Sequence, residues 1–181
     1  LVLDRGDVNL TFKRYLADAV RLPIVDDHVS DVIGDSPDAE LMRGYFAAWG
    51  DRAAYAVSHV GWGLNRRARW DAMSFYDKSD FNGTELRAFG GNFLYSTGAN
   101  EVAGRHTAGH FDLPLRGCTV ELDGQAVVVE GRLVCGYHGL EMGCDGKTIA
   151  MPGQRVRGFP AIRSFPVIEK FGFLWFWPGD A

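Results

Sequence analysis

The first part of the chain alternates short apolar runs with polar turns. Four such runs, each containing β-branched or other large apolar residues, cover positions 1–3, 8–12, 20–25 and 28–33. Short apolar runs bounded by polar clusters are typical of strands. The spacing therefore predicts β structure over residues 1–33.

A helix is predicted to follow directly. Ser36 supplies a hydroxyl cap, Pro37 stands at the first helical position, and Gly50 marks the end. Apolar residues recur between these limits at helical spacing. This apolar face consists of Leu41, Met42, Tyr45, Phe46 and Trp49. We expect the face to pack in the core rather than to bind a cofactor.

The middle of the chain has a weaker pattern. Residues 53–76 predict a short strand into Ser58 and His59, a glycine turn at 61–63 and then a helix. Residues 86–98 and 109–134 are expected to form strands with glycine breaks. Glycine and proline become frequent after position 135, which predicts loops and short strands there. The aromatic run at 171–177 alternates as a strand does.

Composition narrows the class of protein. The 181 residues include 19 basic and 23 acidic ones, for a net charge of −4 with mixed signs. This charge balance argues against nucleic-acid binding. The sequence has no apolar run long enough to span a membrane, and no secretory leader is expected. Three cysteines make no disulfide framework, so we expect a cytoplasmic protein.

Candidate metal chemistry begins with His110 and Asp112. Residues two apart on a strand point to the same face, so this imidazole and carboxylate can bind one ion. His59, beside the glycine-rich stretch 60–63, is the natural third ligand. Two histidines and one carboxylate leave open positions for dioxygen and substrate. The alternative from spacing alone is a buried histidine bonded to a neighbouring aspartate.

Longer motifs carry a family resemblance. Residues 58–64, 67–70, 87–101 and 109–118 resemble 2,5-dihydroxypyridine 5,6-dioxygenases, which are non-haem Fe(II) ring-cleaving enzymes related in fold to thermophilic metallo-aminopeptidases. The similarity covers residues 1–133, which correspond to the C-terminal half of that family. The resemblance implies that His59, His110 and Asp112 bind Fe(II). It also implies an aromatic substrate, dioxygen, and conversion of 2,5-dihydroxypyridine to N-formylmaleamate.

Other polar residues surround these motifs. His106 has no matching ligand role, so it is expected to be solvated or to face substrate. Substrate contacts or structural hydrogen bonds are the two interpretations for Ser58, Asn92, Ser96 and Thr97. Binding of an anionic product or surface ion pairing are the alternatives for Arg87 and Arg116.

A second motif, C-x-x-H, is formed by Cys135 and His138. A Rieske [2Fe–2S] cluster takes two cysteines and two histidines. Residues 131–181 resemble the second half of the Rieske domain of vanillate O-demethylase oxygenase subunits. That domain has an earlier C-x-H box, and the corresponding stretch at 116–118 lacks it. The chain therefore offers two of four cluster ligands, and a zinc site is a further alternative built from Cys118, Cys135, His138 and Cys144.

These observations predict an α+β chain in two parts. Residues 1–133 are expected to be a strand-rich, metallo-aminopeptidase-like portion, and residues 134–181 a partial Rieske-type antiparallel β segment. Exposed strand edges favour association into a homo-oligomer. Three functions compete: an Fe(II) ring-cleaving dioxygenase, a Rieske oxygenase component that needs a reductase, and a non-catalytic fragment. A fragment or chimera of two oxygenases is the expected origin, with the dioxygenase as the main interpretation.

Overall fold

The computed structural model describes residues 1–129, 132–135, 139–143, 146–157 and 161, and the backbone of two further strands at 167–170 and 173–176. Sixteen strands and two α-helices are present in this part of the chain. The strands are β1 (Val2–Leu3), β2 (Val8–Asn9), β3 (Arg14–Tyr15), β4 (Val20–Arg21), β5 (Ile24–Val25), β6 (His28–Val29), β7 (Val57–Trp62), β8 (Asn92–Thr97), β9 (Phe111–Arg116), β10 (Val120–Leu122), β11 (Gln125–Val129), β12 (Arg132–Val134), β13 (Glu141–Met142), β14 (Thr148–Ala150), β15 (Val167–Lys170) and β16 (Phe173–Phe176). The helices are α1 (Pro37–Trp49) and α2 (Thr84–Ala88), and 3₁₀ turns lie at Arg52–Tyr55, Trp70–Ser74 and Glu101–Ala103.

Helix α1 begins and ends where the sequence predicts. The Ser36 side chain accepts a hydrogen bond from the Ala39 N–H at 3.3 Å, which satisfies an otherwise unpaired helix donor. Gly50 closes the helix with a φ of 59°, a left-handed conformation that costs glycine little. The local capping signals are therefore sufficient to place this helix.

The buried face of α1 differs from the predicted one. Met42 and Phe46 are fully buried, but Leu41 and Trp49 are 46% and 43% exposed. Buried Asp38, in the first turn, faces inward with them and accepts a hydrogen bond from the Ala17 N–H at 2.8 Å. Because Asp38 is buried together with Met42 and Phe46, the packed face of the helix is displaced from Leu41 and Trp49.

An antiparallel sheet in the order β7-β8-β9 separates the two apolar clusters. One face packs against α1 through a cluster that contains Tyr95, Phe111 and Leu113. Helix α2 lies on the opposite face, where Asn92 of β8 donates to the Arg87 carbonyl at 3.0 Å. A second cluster of buried apolar residues gathers around α2: Val8, Leu10, Trp70, Ala72, Met73, Phe81 and Leu86.

Three local predictions were wrong in detail. No turn interrupts residues 61–63, because Gly61 pairs with Leu94 and strand β7 continues to Trp62. The helix expected after this point is a 3₁₀ turn over Trp70–Ser74. The strand expected from position 86 starts only at Asn92, after α2. In each case sheet pairing or local packing overrides a weak sequence pattern.

A second antiparallel sheet runs in the order β10-β11-β12-β13-β14. It contains strands from both sides of position 134, where the two parts of the chain are predicted to meet, so that division stays a prediction. Strands β15 and β16 pair with each other, and β16 lies within the aromatic run predicted as a strand. The described chain is thus strand-rich with few helices, which agrees with an α+β class. Within it, the helices are too short or too polar to cross a membrane.

Candidate functional site

The register of the three-stranded sheet aligns three polar side chains. His59 of β7 pairs with Ser96 of β8, and Ser96 pairs with Asp112 of β9. Directly paired residues point to the same face of a sheet. The three side chains therefore form one row across the sheet, on the face opposite to α1.

A β-bulge at Ser58 makes this alignment compatible with the core. Val57 pairs with Thr97 although His59 pairs with Ser96, so Ser58 is the extra residue in β7. Without it, alternation would place Val57 on the same face as His59. The bulge returns Val57 to the apolar cluster and leaves His59 on the polar face.

The Asp112 carboxylate is the centre of the site. Its Oδ1 atom lies 3.2 Å from His110 Nε2 and 3.9 Å from His59 Nε2. The same oxygen accepts a hydrogen bond from the Ser96 hydroxyl. His110 directly precedes β9, so the predicted pairing of the two H-x-D side chains is present. The Asp112 side chain is only 6% exposed, whereas the His59 and His110 side chains are 52% and 43% exposed. The carboxylate is thus buried beneath two imidazoles that solvent reaches.

The charges around Asp112 stabilise its ionised form. Arg87 donates to Asp112 Oδ2 from Nε at 2.8 Å and from a terminal guanidinium nitrogen. Burial raises the pKa of Asp112, but hydrogen bonds from His110, Ser96 and Arg87 outweigh it and lower that pKa well below the usual range. The hydrogen bond to Asp112 in turn raises the pKa of His110, against its partial desolvation.

Two hydroxyl groups contact His59. The Ser58 hydroxyl donates to the Ala99 carbonyl, so its oxygen is free to accept from His59 Nδ1–H at 3.2 Å. His59 Nε2 lies 3.1 Å from the Ser96 oxygen and faces Asp112. A proton on Nδ1 leaves the Nε2 lone pair available for an ion, the arrangement common among histidines that bind metals.

The backbone of His110 is held by two hydroxyl groups from distant elements. The Tyr45 hydroxyl lies 3.0 Å from both the N–H and the carbonyl oxygen of His110. The Thr11 hydroxyl donates to the same carbonyl at 3.0 Å. Tyr45 was expected only as a core residue, since its position in a helical stripe carries no signal for a contact 65 residues away.

A close approach of two glycines fixes the chain just before His110. Gly98 has a φ of 108°, and a Cβ added there would lie 2.1 Å from the Gly109 carbonyl oxygen. A Cβ added to Gly109 would lie 2.5 Å from the Ala54 Cβ and 2.9 Å from Trp49 Cδ1. Only glycine fits at these two positions without movement of the backbone or its neighbours.

The separations of the donor atoms around Asp112 decide whether these atoms can share one metal ion. In the parts of the chain that are described, no group of three His, Cys, Asp or Glu side chains is already arranged to hold an ion. Ligand atoms bound to one divalent ion at about 2.0–2.2 Å each lie at most about 4.4 Å apart. The 3.2 and 3.9 Å separations at Asp112 Oδ1 fall within that limit. Two imidazoles and a carboxylate also suit a divalent iron ion chemically.

Of the other predicted polar residues, Thr97 and Arg116 have structural partners and His106 faces solvent. Thr97 accepts from the Phe111 N–H at 3.3 Å. The Arg116 guanidinium lies over the Trp70 ring, 5.5 Å from its centroid. His106 is exposed to solvent. None of these three side chains joins the cluster around Asp112, whereas Arg87, Ser58 and Ser96 do.

The second predicted site is described only at Cys135. Its sulfur is a free thiol of intermediate exposure, and its carbonyl accepts from the Gly139 N–H at 2.8 Å. His138 and Cys144 lie outside the described residues, so the Rieske and zinc ligand sets stay predictions. Cys118 is a second free thiol, and burial raises its pKa.

Comparison with known proteins assigns the larger part of the chain. The family profile of 2,5-dihydroxypyridine 5,6-dioxygenase (NicX) matches residues 1–135. The chain belongs to this family. The 2,5-dihydroxypyridine 5,6-dioxygenase of Pseudomonas putida is 45% identical over 136 residues, which are 74% of this chain and 39% of that protein. A solved structure of this dioxygenase from strain KT2440 superposes with a TM-score of 0.68 at 43% identity, covering 75% of this chain and 39% of the other.

A different family matches another part of the chain. The vanillate O-demethylase oxygenase subunit of a Pseudomonas species is 61% identical over 67 residues, which are 37% of this chain and 18% of that protein. The two alignments, of 136 and 67 residues, are together longer than the 181-residue chain, so the aligned stretches overlap. The chain thus spans about two fifths of the dioxygenase and about a fifth of the demethylase subunit.

Proposed function

We propose that the chain carries the iron site of a ring-cleaving dioxygenase, with His59, His110 and Asp112 as Fe(II) ligands. The observation that supports this most is the convergence of two imidazole Nε2 atoms on one buried carboxylate oxygen. The family membership supplies the reaction class, and the proposed substrate is a hydroxylated pyridine such as 2,5-dihydroxypyridine. The chain spans 39% of its dioxygenase relative. We therefore propose the full ring-cleaving reaction for this site together with the parts of the active site that the rest of such a dioxygenase supplies.

The finer fold assignment is part of the same proposal. The match to the solved dioxygenase at a TM-score of 0.68 supports a shared fold over three quarters of the chain. We propose that this fold is the metallo-aminopeptidase-like one. Residues 134–181 are proposed to derive from a Rieske domain, as the demethylase relative suggests.

The protein residues prepare the site for this chemistry. Fe(II) held by His59, His110 and Asp112 would supply Lewis-acid and electron-transfer chemistry for a hydroxylated ring and dioxygen. Arg87 and Ser96 hold the Asp112 carboxylate in its ionised, ligating form. The half-exposed His59 and His110 imidazoles leave the candidate ligands accessible from solvent on the face opposite to α1.

Metal binding to purified, oxygen-free protein tests the proposal. We expect about one Fe(II) per chain without acid-labile sulfide, and loss of tight binding in His59→Ala, His110→Ala and Asp112→Asn. His106→Ala is the matched control, because this histidine is exposed and away from the cluster. Unchanged iron binding in all three ligand variants would contradict the proposal. Dioxygen uptake with 2,5-dihydroxypyridine then tests the reaction in the presence of the remaining family segment.

A Rieske-type electron-transfer role is the second candidate. The 61% identity to a vanillate O-demethylase oxygenase subunit favours it. In that case Cys135 and His138 contribute half of a [2Fe–2S] cluster, and a reductase is the partner. Iron and sulfide in equal amounts, both lost in Cys135→Ser, would support this function over the mononuclear site.

A further inference from the structure

Arg87 is held in place through both its guanidinium and its backbone carbonyl. Its guanidinium donates from one terminal nitrogen to the Asn82 carbonyl at 2.7 Å, and its own carbonyl accepts from Asn92 at 3.0 Å. Asn92 is fully buried in strand β8, four residues before Ser96 and on the same face of the sheet. The guanidinium is therefore presented to Asp112 by both α2 and the sheet.

The two oxygens of Asp112 have different partners as a result. Oδ2 receives two N–H groups of Arg87, at 2.8 Å from Nε and from a terminal nitrogen. Oδ1 receives the Ser96 hydroxyl and faces both imidazoles. One oxygen is occupied by a permanent cation, and the other is directed at the candidate ligands.

We infer that Arg87 is a positioning residue that reserves Asp112 Oδ2 and so makes Asp112 a one-oxygen ligand. The inference rests on the proposed iron site. A carboxylate can bind a cation through one oxygen or through both. Outer hydrogen bonds of this kind orient metal ligands. With Oδ2 held by Arg87, the ion keeps an additional open position for the substrate or dioxygen.

The same contacts favour this role over binding of an anionic product. Three of the five N–H groups of Arg87 already donate to Asp112 or to the Asn82 carbonyl. A planar guanidinium delivers these donors in fixed directions, which a lysine ammonium cannot reproduce. Arg87→Lys should therefore retain the charge but lose most of the orientation.

Co²⁺ binding under anaerobic conditions tests the inference, because the visible spectrum of Co²⁺ reports its coordination. We expect Arg87→Met to weaken Co²⁺ binding by about 10- to 100-fold, the usual cost of removing an outer hydrogen-bond partner. The spectrum of its bound Co²⁺ should also change, as the released carboxylate binds through both oxygens. Arg87→Lys should fall between Arg87→Met and the wild type.

The exposed Arg69–Asp71 pair offers the matched control. Arg69 also donates from Nε and a terminal nitrogen to a carboxylate, at 2.9 and 2.8 Å, but this pair lies at the surface. Arg69→Met should leave Co²⁺ affinity and spectrum unchanged. Circular dichroism confirms folding, and Arg87→Lys carries the test if Arg87→Met does not fold.

Two results separate this inference from the proposed site. Wild-type affinity and spectrum in both Arg87 variants, with binding lost in His59→Ala, would overturn the positioning role alone. Wild-type binding in His59→Ala and Asp112→Asn would overturn the site itself, and the inference with it.

Discussion

Replacing Gly109 by alanine should damage the candidate site from outside it. The added Cβ would lie 2.5 Å from the Ala54 Cβ and 2.9 Å from Trp49 Cδ1, and Cβ contacts shorter than 3.0 Å are essentially never observed. Ala54 is fully buried and has no room to withdraw into solvent, so either its turn or the backbone at Gly109 must move. His110 is the next residue, and its N–H and carbonyl both bond to the Tyr45 hydroxyl.

The expected loss of stability follows from this overlap. Forcing an extra methyl into a packed region costs about 1–3 kcal/mol. The reduced entropy of the unfolded chain offsets about 0.4–1 kcal/mol of that cost. For a chain of this size each kcal/mol shifts the midpoint of thermal unfolding by about 2–4 °C. We therefore expect a midpoint lowered by several degrees and, since His110 is displaced, weaker binding of Fe(II).

Gly44→Ala is the matched control for this substitution. Gly44 lies on the exposed side of α1, and an added Cβ would meet nothing within 4 Å. Alanine in a helix interior is favoured over glycine by about 0.5–1 kcal/mol, so this variant should be more stable than the wild type. Calorimetry and anaerobic metal titration measure both variants. Equal midpoints and equal iron affinity for Gly109→Ala and the wild type would refute the steric argument.

Three further predictions concern single polar groups. The Tyr95 hydroxyl is buried without a hydrogen-bond partner among the described residues, and burial raises the pKa of Tyr95 to about 12; Tyr95→Phe should unfold at an equal or higher urea concentration, and a clear loss would contradict this. Tyr45→Phe removes a partner of the His110 backbone and should cost about 1–3 kcal/mol in urea unfolding, together with iron affinity. The raised pKa of His110 and the lowered pKa of Asp112 stabilise the metal-free protein fully between about pH 4 and 6.5. Above that range, as pH rises through the raised pKa, the stability gap between wild type and His110→Gln should narrow; a constant gap from pH 5 to 9 would exclude the pairing.

Local signals in the sequence were sufficient for some elements. Helix α1 has a capping serine, a proline at its first position and a terminal glycine, and each acts within its own turn. The two-residue spacing of His110 and Asp112 placed the His110 imidazole beside the Asp112 carboxylate, as alternation predicts. These features depend on neighbours in the sequence, so sequence alone reveals them.

Long-range contacts were beyond such signals. The bulge at Ser58 depends on how β7 pairs with β8, almost 40 residues further along the chain. No residue type at positions 57–59 predicts it. The Arg87–Asp112 contact spans 25 residues and the Tyr45–His110 contact spans 65. Sequence patterns leave Arg87 as an anion binder or a surface ion-pair partner and Tyr45 as a core residue, because each residue type is common in those roles. Only the fold shows that both hold metal-ligand candidates.

The two faces of the central sheet explain why these contacts act together. Phe111, Leu113 and Tyr95 pack against α1 on one face, and a slip of one residue would expose all three. The apolar face thus fixes the register that places His59, Ser96 and Asp112 in one row on the other face. His59 contributes little to that choice, because it is half-exposed and its contacts are hydrogen bonds that water can replace. Substitutions that disturb packing around α1 should therefore change metal binding even where they touch no ligand.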